Sequence, residues 1–382
     1  MPIKNIAGRK LCAFVSLVLF FHLASAARVP IPPPQIPVPA FILVEQSGAV
    51  LAEKNADQRM EPASLVKIMT VFVTGRALAG NLIALDESTV VSEKAWKMEG
   101  SRMFIEVGKS VTVDQLLQGV IVQSGNDASV ALAEHVSGTE ETFTALMNEY
   151  ATELGMSNTR YANSTGLPNP DNYTTPRDLV TLSRALISEF PDLYARFAIS
   201  EYTFNDIRQP NRNRLLSRGG GVDGIKTGHT EAAGYCLVAS ARRGAMRNLS
   251  VVMGADSDSA RTEASDALLN YGFRFFEHRD VYATTDVVAT GVVWQGEQNE
   301  VQIGPAQAIR LTLPKGAYEE IEAQAQINDP IIAPVARGQP LGRLSLKLDG
   351  EVIHESELVA LAGVSSGSLI TRWRDAVLLW FE

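Results

Sequence analysis

The sequence predicts an α/β (α+β) domain followed by a small all-β domain. Up to about residue 278, short apolar segments occur near both ends, while the region between them has apolar residues at helical spacing. From about Asp280 onwards, apolar and polar residues alternate, as they do in half-buried strands. The chain has 382 residues, 46% of them hydrophobic, which is enough for two or three domains with sizeable cores.

Two β-hairpins are predicted in the first domain. Their apolar strand segments are residues 41–44 with 49–52 and residues 235–241 with 249–253. The turn-forming sequences Gln-Ser-Gly and Arg-Arg-Gly separate the two members of each pair. The domain is therefore mixed, with strands at both ends of its sequence and helices between them.

Helices are predicted in four stretches of the same domain. They are residues 62–79, 113–136, 142–154 and 261–276. The first begins at Pro62, a residue suited to a first helical turn, and it is apolar nearly all round, which predicts a buried central helix. The second is interrupted by Ser-Gly-Asn at 124–126, and the third ends at Gly155.

The alternating pattern of the second domain covers residues 279–365, after a first domain at 40–278. Its inward-facing positions are Val301, Ile303, Ile309, Leu311, Leu313, Leu344, Leu346 and Leu348. Asp349-Gly350 is a strong signal for a tight hairpin turn. These features predict a small all-β domain.

The N-terminus has the pattern of a secretory signal. Three basic residues precede an apolar run at 11–23, which ends in Ala-Ser-Ala. The alternative is a membrane-spanning anchor, but the run of about 13 residues is shorter than the roughly 20 that a span needs. We therefore predict a cleaved signal peptide at 1–26, an extended Pro-rich lead-in at 27–39, and export of the chain.

Charge and cysteine content exclude some classes of function. The net charge is −9, and it becomes −12 once the three basic residues of the signal are removed. An acidic surface argues against a nucleic-acid partner, because phosphate binding needs clustered Lys and Arg. The only cysteines are Cys12 and Cys236, and no zinc-type Cys/His cluster occurs in the sequence. We predict no nucleic-acid partner and no cofactor.

The C-terminal segment, residues 366–382, predicts an amphipathic helix. One face of it carries Leu369, Trp373, Val377 and Trp380. The segment is too short and too charged to span a bilayer, but its aromatic residues suit the membrane interface. The alternative is a terminal helix docked on the protein. We expect a peripheral membrane anchor.

Three short motifs occur in order along the first domain. They are Ser64-Leu-Val-Lys67, Ser124-Gly-Asn126 and Lys226-Thr-Gly228. Each is weak alone, since a chain of this length contains about one Ser-x-x-Lys match by chance, and a solvated lysine or simple turns would explain the residues. Together, each in a suitable local context, they are the signature of active-site-serine enzymes that react with penicillin.

The chemistry of these residues is consistent with nucleophilic catalysis. Ser64 lies near the start of an apolar helix, and Lys67 follows one turn later on the same face. A neutral Lys67 can take the proton of the Ser64 hydroxyl, provided that burial and a second cation lower its pKa. Lys226 is the expected second cation. Ser124 is expected to relay protons, and Asn126 to hold a substrate amide.

The chain resembles the low-molecular-mass D-alanyl-D-alanine carboxypeptidases, penicillin-binding proteins of bacterial cell-wall metabolism. The segments that carry the resemblance are residues 61–67, 123–127, 208–213, 223–230 and 272–276. The resemblance covers nearly the whole mature chain. It implies a β-lactamase/transpeptidase-like first domain, in which helices flank both sides of an antiparallel sheet.

The resemblance also implies a reaction and a site. Ser64 would attack the bond between the two D-alanines of a peptidoglycan pentapeptide, and water would hydrolyse the acyl-enzyme. The Ser64 and His229 N–H groups would form the oxyanion hole. The substrate-binding residues so implied are Asn126, Arg212, Lys226, Thr227, Gly228, His229 and Arg261. β-Lactams would acylate Ser64. The enzyme would act in cell-wall biogenesis and cell shape at the periplasmic face of the inner membrane.

Three alternatives remain open at this point. A class A β-lactamase needs a Glu on the loop after the second motif, and residues 161–178 contain none. A DD-endopeptidase or transpeptidase would share the fold and the motifs. A catalytically silent peptidoglycan-binding scaffold would not need every motif residue intact.

Prolines at 168, 170 and 176 predict a rigid loop near the site.

Overall fold

The computed structural model describes residues 32 and 34–381. The predicted signal peptide, residues 1–26, and residues 27–31 of the lead-in lie outside the described residues. The described chain divides into two compact units, Pro32–Phe276 and Glu277–Glu382.

The first unit is built on an antiparallel sheet. The strands of this unit are β1 Ala40–Glu45, β2 Val50–Lys54, β3 Ser88–Val90, β4 Ser110–Thr112, β5 Glu201–Phe204, β6 Ile207–Pro210, β7 Val222–Thr230, β8 Gly234–Arg243 and β9 Met246–Ala255. The order in the main sheet is β2-β1-β9-β8-β7, and all neighbours run antiparallel. β1 with β2 and β8 with β9 are the two predicted hairpins. The strand β7, which carries the third motif, lies at one edge of the sheet.

Helices follow the strands in the expected regions. The helices of this unit are α1 Val66–Ala79, α2 Glu93–Trp96, α3 Val113–Gln118, α4 Asn126–Ser137, α5 Glu140–Glu153, α6 Pro176–Glu189, α7 Pro191–Tyr194 and α8 Asp258–Phe275. A 3₁₀ turn at Ala63–Leu65 leads into α1, and a π-helical turn at Gly119–Gln123 separates α3 from α4. The predicted interruption at 124–126 is confirmed.

Both faces of the sheet are covered by helices, because successive side chains of a strand point to opposite sides. In β1, Ile42 and Val44 pack into the larger core with α1, α4 and α6. Phe41 and Leu43 face the other way, into a second core with α8. This alternation explains the continuous apolar runs of the central strands, and it confirms an antiparallel sheet with helices on both sides.

α1 is the buried central helix that its composition predicts. Nearly all of its residues are buried, including the charged Lys67. Gly75 is required by close approach: a Cβ on it would lie 2.8 Å from a ring carbon of Phe190. A helix that is buried over most of its length can hold the Lys67 side chain away from water.

Three helices of this unit were not predicted: the short α2 and α7, and the longer α6. The prolines at 168, 170 and 176 predicted a rigid loop, but the last of them, Pro176, is the first residue of α6. Thr175 caps it by accepting a hydrogen bond from the Asp178 N–H at 3.1 Å. A Thr N-cap followed by Pro at the first helical position is a known start signal, so the sequence did contain the information.

The second unit is all-β except for one terminal helix. Its strands are β10 Phe276–Tyr282, β11 Ala289–Trp294, β12 Glu300–Pro305, β13 Ile309–Pro314, β14 Glu322–Ile327, β15 Ile331–Ile332, β16 Pro340–Leu348 and β17 Glu351–Ala360. The larger sheet has the order β14-β16-β17-β12-β11-β15, and β10 pairs with β13. β16 and β17 meet at Asp349 and Gly350, whose φ values of 53° and 81° suit a tight hairpin turn. The all-β prediction for this domain is confirmed.

The terminal helix, α9 Leu369–Leu378, exposes the face that the sequence predicts to be apolar. Leu369, Trp373 and Trp380 are 82%, 75% and 89% exposed. On the opposite side Asp375 is buried, and its carboxylate accepts a hydrogen bond from the Gln295 N–H at 2.8 Å. Across the residues that the structure describes, no helix has both the length and the apolar character needed to cross a membrane.

Candidate active site

A polar pocket of the first unit brings most of the predicted site residues together. The predicted residues that line it are Ser64, Ser124, Asn126, Arg212, Thr227, Gly228, His229 and Arg261. Lys67 and Lys226 do not line the pocket; both are buried, with exposures of 0% and 2%. The three motifs, which are up to 162 residues apart in sequence, therefore meet at one end of α1 and the edge strand β7.

Ser64 lies in the 3₁₀ turn that precedes α1. Its neighbour Ala63 has a φ of 47°, an uncommon conformation for a residue with a side chain. Gly166 packs directly against this turn, and a Cβ on it would lie 1.8 Å from the Ala63 carbonyl oxygen. Gly228 of β7 is close on the other side, where a Cβ would lie 3.2 Å from the Ser64 nitrogen. The nucleophile is thus held between two glycines.

Lys67 is placed to act on Ser64. Its Nζ lies 3.1 Å from the Ser64 Oγ, and it donates to the Asn126 Oδ1 at 2.8 Å and to the Thr165 carbonyl at 2.5 Å. Burial lowers the pKa of Lys67 to about 7; Asp127 opposes this shift and Arg212 adds to it. At neutral pH a substantial fraction of Lys67 is therefore an uncharged amine that can accept a proton.

Lys226 is a second buried lysine that interacts with Lys67. Burial lowers the pKa of Lys226 well below its ordinary value. Neighbouring cations add to this effect, namely Lys67, Arg212 and Arg261. Arg212 also lowers the pKa of Lys67. The mutual repulsion between Lys67 and Lys226 agrees with a second cation near Lys67, and the role of Lys226 stays a prediction.

Ser124 owes its position to the break between α3 and α4. It ends the π-helical turn with a φ of 65°, in the left-handed region. Its Oγ is buried and has no hydrogen-bond partner among the residues that the structure describes. π-Turns and left-handed residues of this kind concentrate at functional sites. The free hydroxyl lines the pocket together with Ser64 and Asn126.

The two arginines of the pocket have different surroundings. Arg261 is bound within the protein: it pairs with Asp258 and donates to the Gly228 carbonyl at 2.8 Å and to the Cys236 carbonyl at 3.2 Å. Arg212 is exposed, and within the described residues no carboxylate acts on its guanidinium. Arg212 is therefore the cation available to an anionic ligand, whereas Arg261 supports the β7–β8 turn.

Some pocket residues were missed by the sequence analysis. They are Gly100, Ser101, Thr165, Gly166, Leu167 and Thr230. The turn at 165–166 is built by Asn163, whose Oδ1 accepts from the Thr165 N–H at 3.2 Å and from the Gly166 N–H at 2.7 Å. An Asn followed by Gly three residues later is a recognisable turn signal. Residues 100 and 101 carry no comparable signal, since only the tertiary structure brings them to the pocket.

The described residues contain no group of three or more His, Cys, Asp or Glu side chains that could hold a metal ion. The pocket is lined by hydroxyl, amide, imidazole and guanidinium side chains.

Comparison with known families decides the classification. A family model described as D-alanyl-D-alanine carboxypeptidase matches residues 27–257. The chain belongs to this carboxypeptidase family. A second model, described as the C-terminal domain of penicillin-binding protein 5, matches residues 276–366. Both matches confirm the resemblance inferred from the motifs.

Curated members of the carboxypeptidase family match along most of their length. D-alanyl-D-alanine carboxypeptidase DacC of Escherichia coli strain K12 is 42% identical over 375 residues, which cover 96% of this chain and 94% of DacC. DacA of the same organism is 39% identical over 358 residues, which cover 91% of this chain and 89% of DacA.

Solved structures agree with this assignment. Penicillin-binding protein 5 from Haemophilus influenzae is 38% identical, with a TM-score of 0.82 over 88% of this chain and 100% of that one. Penicillin-binding protein D2 from Listeria monocytogenes, in a cefotaxime-bound form, is 31% identical, with a TM-score of 0.59 over 63% of this chain and 99% of that one. The predicted fold class is confirmed.

Proposed function

We propose that the chain is a serine D-alanyl-D-alanine carboxypeptidase that removes the terminal D-alanine from peptidoglycan pentapeptides. One observation carries this proposal: the Ser64 hydroxyl lies 3.1 Å from the amine of a fully buried lysine. That arrangement makes a nucleophile and its base from two residues one helical turn apart. The family assignment supplies the substrate class, because the related enzymes are D-alanyl-D-alanine carboxypeptidases.

The acylation step follows from the geometry. Neutral Lys67 takes the proton from Ser64, whose Oγ forms a bond to the carbonyl carbon between the two D-alanines. The oxyanion that develops is stabilised by the N–H groups of Ser64 and His229. The C–N bond then breaks, and the leaving D-alanine amine receives a proton relayed through Ser124. Water hydrolyses the remaining ester and restores the Ser64 hydroxyl.

Substrate binding uses the edge of the sheet. A peptide laid along β7 meets Thr227, Gly228 and His229 in the pocket. Its terminal carboxylate is neutralised by Arg212, the exposed guanidinium, with the Thr227 hydroxyl beside it. Lys226 lies behind this surface, where its Nζ donates to the Thr227 carbonyl at 3.0 Å and so holds the strand. A β-lactam that imitates the D-Ala-D-Ala amide is expected to acylate Ser64 by the same route.

The decisive experiment measures D-alanine release from a peptide ending in D-Ala-D-Ala. The wild type, Ser64→Ala and the control Ser188→Ala are compared, since Ser188 is an exposed serine on α6. Release by the wild type and the control, but not by Ser64→Ala, is the expected result. If the wild type is labelled by penicillin but releases no D-alanine, a cross-linked dimer is tested next. Cleavage of the dimer would then indicate an endopeptidase, and no cleavage would indicate a binding role.

The absence of a base on the pocket loop argues against a class A β-lactamase. In the described structure, residues 165–167 line the pocket and are Thr, Gly and Leu. None of them offers a carboxylate to activate water, which is the role of Glu in that class. The loop therefore lacks the carboxylate that characterises class A β-lactamases.

We further infer that the protein is exported and attached to the periplasmic face of the inner membrane through α9. The predicted signal peptide at 1–26 supports export. The exposed apolar face of α9, with Trp373, and the exposed Trp380 just beyond its end support binding at a lipid interface. Asp375 holds the polar side of the helix to the β unit, so that the apolar side faces outward.

Deletion of residues 367–382 tests the anchor. The truncated chain is expected in the soluble periplasmic fraction, whereas the full chain is expected with inner membranes. D-alanine release from a soluble peptide is the control and should be unchanged. If the truncated chain stays with the membranes, α9 is not the anchor. N-terminal sequencing of the exported protein should start at Ala27.

A further inference from the structure

Asp127 follows the second motif directly, and its carboxylate accepts four backbone hydrogen bonds. It is 1% exposed. Its Oδ1 accepts from the N–H groups of Met103 at 2.9 Å and Ala128 at 2.8 Å. Its Oδ2 accepts from those of Phe104 at 2.9 Å and Ile105 at 3.2 Å. Both oxygens act only as acceptors, as in an ionised carboxylate.

The segment 99–105 forms a wall of the pocket at residues 100 and 101, and Asp127 binds its other end at residues 103–105. Gly100 and Ser101 line the pocket, and the Ser101 carbonyl accepts from the Asn126 N–H at 2.7 Å. The Glu99 carbonyl accepts from the Asn126 Nδ2 at 2.6 Å. Hydrogen bonds thus join the wall to Asn126, the residue whose side-chain amide contacts Lys67.

The held segment is also strained. Phe104 has a φ of 69°, which is an outlier for a bulky residue, and it is 40% exposed. Such a conformation persists only where the surroundings enforce it. Asp127 binds the Phe104 N–H, and the Asn205 Nδ2 donates to the Phe104 carbonyl at 3.0 Å. Gly125 is needed for the same packing, since a Cβ on it would lie 2.8 Å from the Asp127 Oδ1.

Charged groups from several elements shift the pKa of Lys67 or of Lys226. They are Asp127 from α4, Arg212 from the segment after β6, Lys226 from β7, and Arg261 from α8, which acts on Lys226. Of these groups Asp127 is the one anion. It raises the pKa of Lys67, against the lowering by burial and by Arg212. The charge of Asp127 therefore favours the protonated form of the base.

We propose that Asp127 is a positioning residue of the reaction, which holds the 99–105 wall against Asn126 and places a negative charge near Lys67. The carboxylate thus has two effects that a single substitution can separate. Its hydrogen bonds shape the pocket, and its charge sets the pH at which Lys67 becomes a competent base. This inference rests on the proposed role of Lys67 as the base for Ser64.

The test is the pH dependence of acylation by labelled penicillin, measured on the full chain. In Asp127→Asn, loss of the charge should move the acidic limb of the profile to lower pH by about one unit. The plateau rate should fall as well, since an amide cannot accept all four N–H groups. Asp178→Asn is the matched control. Asp178 is also buried and accepts from the Asn158 N–H at 3.0 Å, and it is not among the groups that act on Lys67.

Asp127→Glu separates the two effects. It keeps the charge, so the limb should stay in place, but the longer side chain displaces the hydrogen bonds and should lower the plateau. A limb that moves in Asp127→Glu, or a plateau equal to that of the wild type, would overturn the proposal even if Asp127→Asn does not fold. So would an unmoved limb in Asp127→Asn. If the wild type itself has no acidic limb near pH 7, it is the assignment of Lys67 as base that fails.

Discussion

At the scale of single residues, the site depends on burying a lysine that must also lose its proton. Lys67 has no exposure, and its amine is surrounded by the Ser64 hydroxyl, the Asn126 amide oxygen and the Thr165 carbonyl. Acceptors of this kind hold the amine in place, while burial disfavours its charge. Burial thus makes Lys67 a base by lowering its pKa, since an exposed lysine with the same spacing to Ser64 would remain charged.

The first prediction at this scale concerns Lys67. Lys67→Ala should abolish acylation by penicillin while leaving the far-ultraviolet circular dichroism spectrum unchanged. In the wild type, acylation should rise with pH through about 7, because the amine is a base only above its pKa. Lys97→Ala, at a lysine that is 63% exposed, is the control and should acylate normally. Normal labelling of Lys67→Ala would exclude this residue as the base.

A second prediction compares two glycines with similar backbone. Gly166 and Gly155 have φ values of 80° and 76°, but a Cβ on Gly155 meets nothing within 4 Å. Gly155→Ala should therefore destabilise the protein by about 1–2 kcal/mol, from backbone strain alone. Gly166→Ala should cost about 1–3 kcal/mol more, because its Cβ collides with the Ala63 carbonyl. It should also slow the acylation of Ser64.

Urea unfolding and penicillin acylation measure the two effects of these glycine substitutions. Equal losses of stability in both variants, with unchanged acylation in Gly166→Ala, would contradict the close packing of Gly166 against the nucleophile turn.

At the scale of elements, the helix breaks matter as much as the helices. Ser124 follows the π-helical turn and is in a left-handed conformation. The helix α4 begins two residues later, at Asn126. The 3₁₀ turn before α1 carries Ser64 directly after Ala63, whose φ is 47°. α1 then carries Lys67 into the core, where its apolar neighbours on every side exclude water. Each catalytic group thus sits at the start of a helix whose body is anchored by packing.

The anchoring of α1 can be tested in its interior. Phe72 is fully buried and makes edge-to-face contacts with Tyr150 and Phe190, at ring-centroid distances of 6.0 and 5.4 Å. Phe72→Ala should lower the free energy of unfolding by about 3–5 kcal/mol, measured in urea. Leu82→Ala, at a leucine that is 78% exposed just after α1, should change it little. Similar effects at both positions would mean that α1 is not the centre of the core.

At the scale of the whole molecule, each unit has its own hydrophobic core. All proposed catalytic and binding residues lie between positions 64 and 261, within the first unit. The Listeria protein, matched over 99% of its length by 63% of this chain, shows that a shorter relative exists with the same fold. We therefore expect the first unit to contain every residue that acylation of Ser64 requires.

This division predicts the behaviour of a truncated chain. Residues 27–278 alone should fold and be acylated by penicillin at close to the rate of the full chain. Thermal unfolding and time-resolved labelling are the measurements, with Ser64→Ala in the same fragment as the control. A fragment that folds but reacts much more slowly would mean that the β unit contributes to the site.

The chemistry of the motifs and part of the element order could be predicted from the sequence alone, but β3 to β7, α2 and α7 were not predicted. Alternation and helical periodicity depend on local spacing, so they predicted the two hairpins, the buried α1 and the all-β unit. Motif spacing paired Ser64 with Lys67, because one helical turn is a local relation. The helix α6 was missed although its Thr-Pro start was visible.

Only the tertiary structure decided which distant groups act on one another. It placed Arg212 as a cation that lowers the pKa of Lys67, and it brought Gly166 against the nucleophile turn. It also showed Asp127 to be the anchor of the 99–105 wall. Burial and electrostatic interactions depend on distances through space between segments far apart in the chain, and no local pattern in a single sequence records those distances.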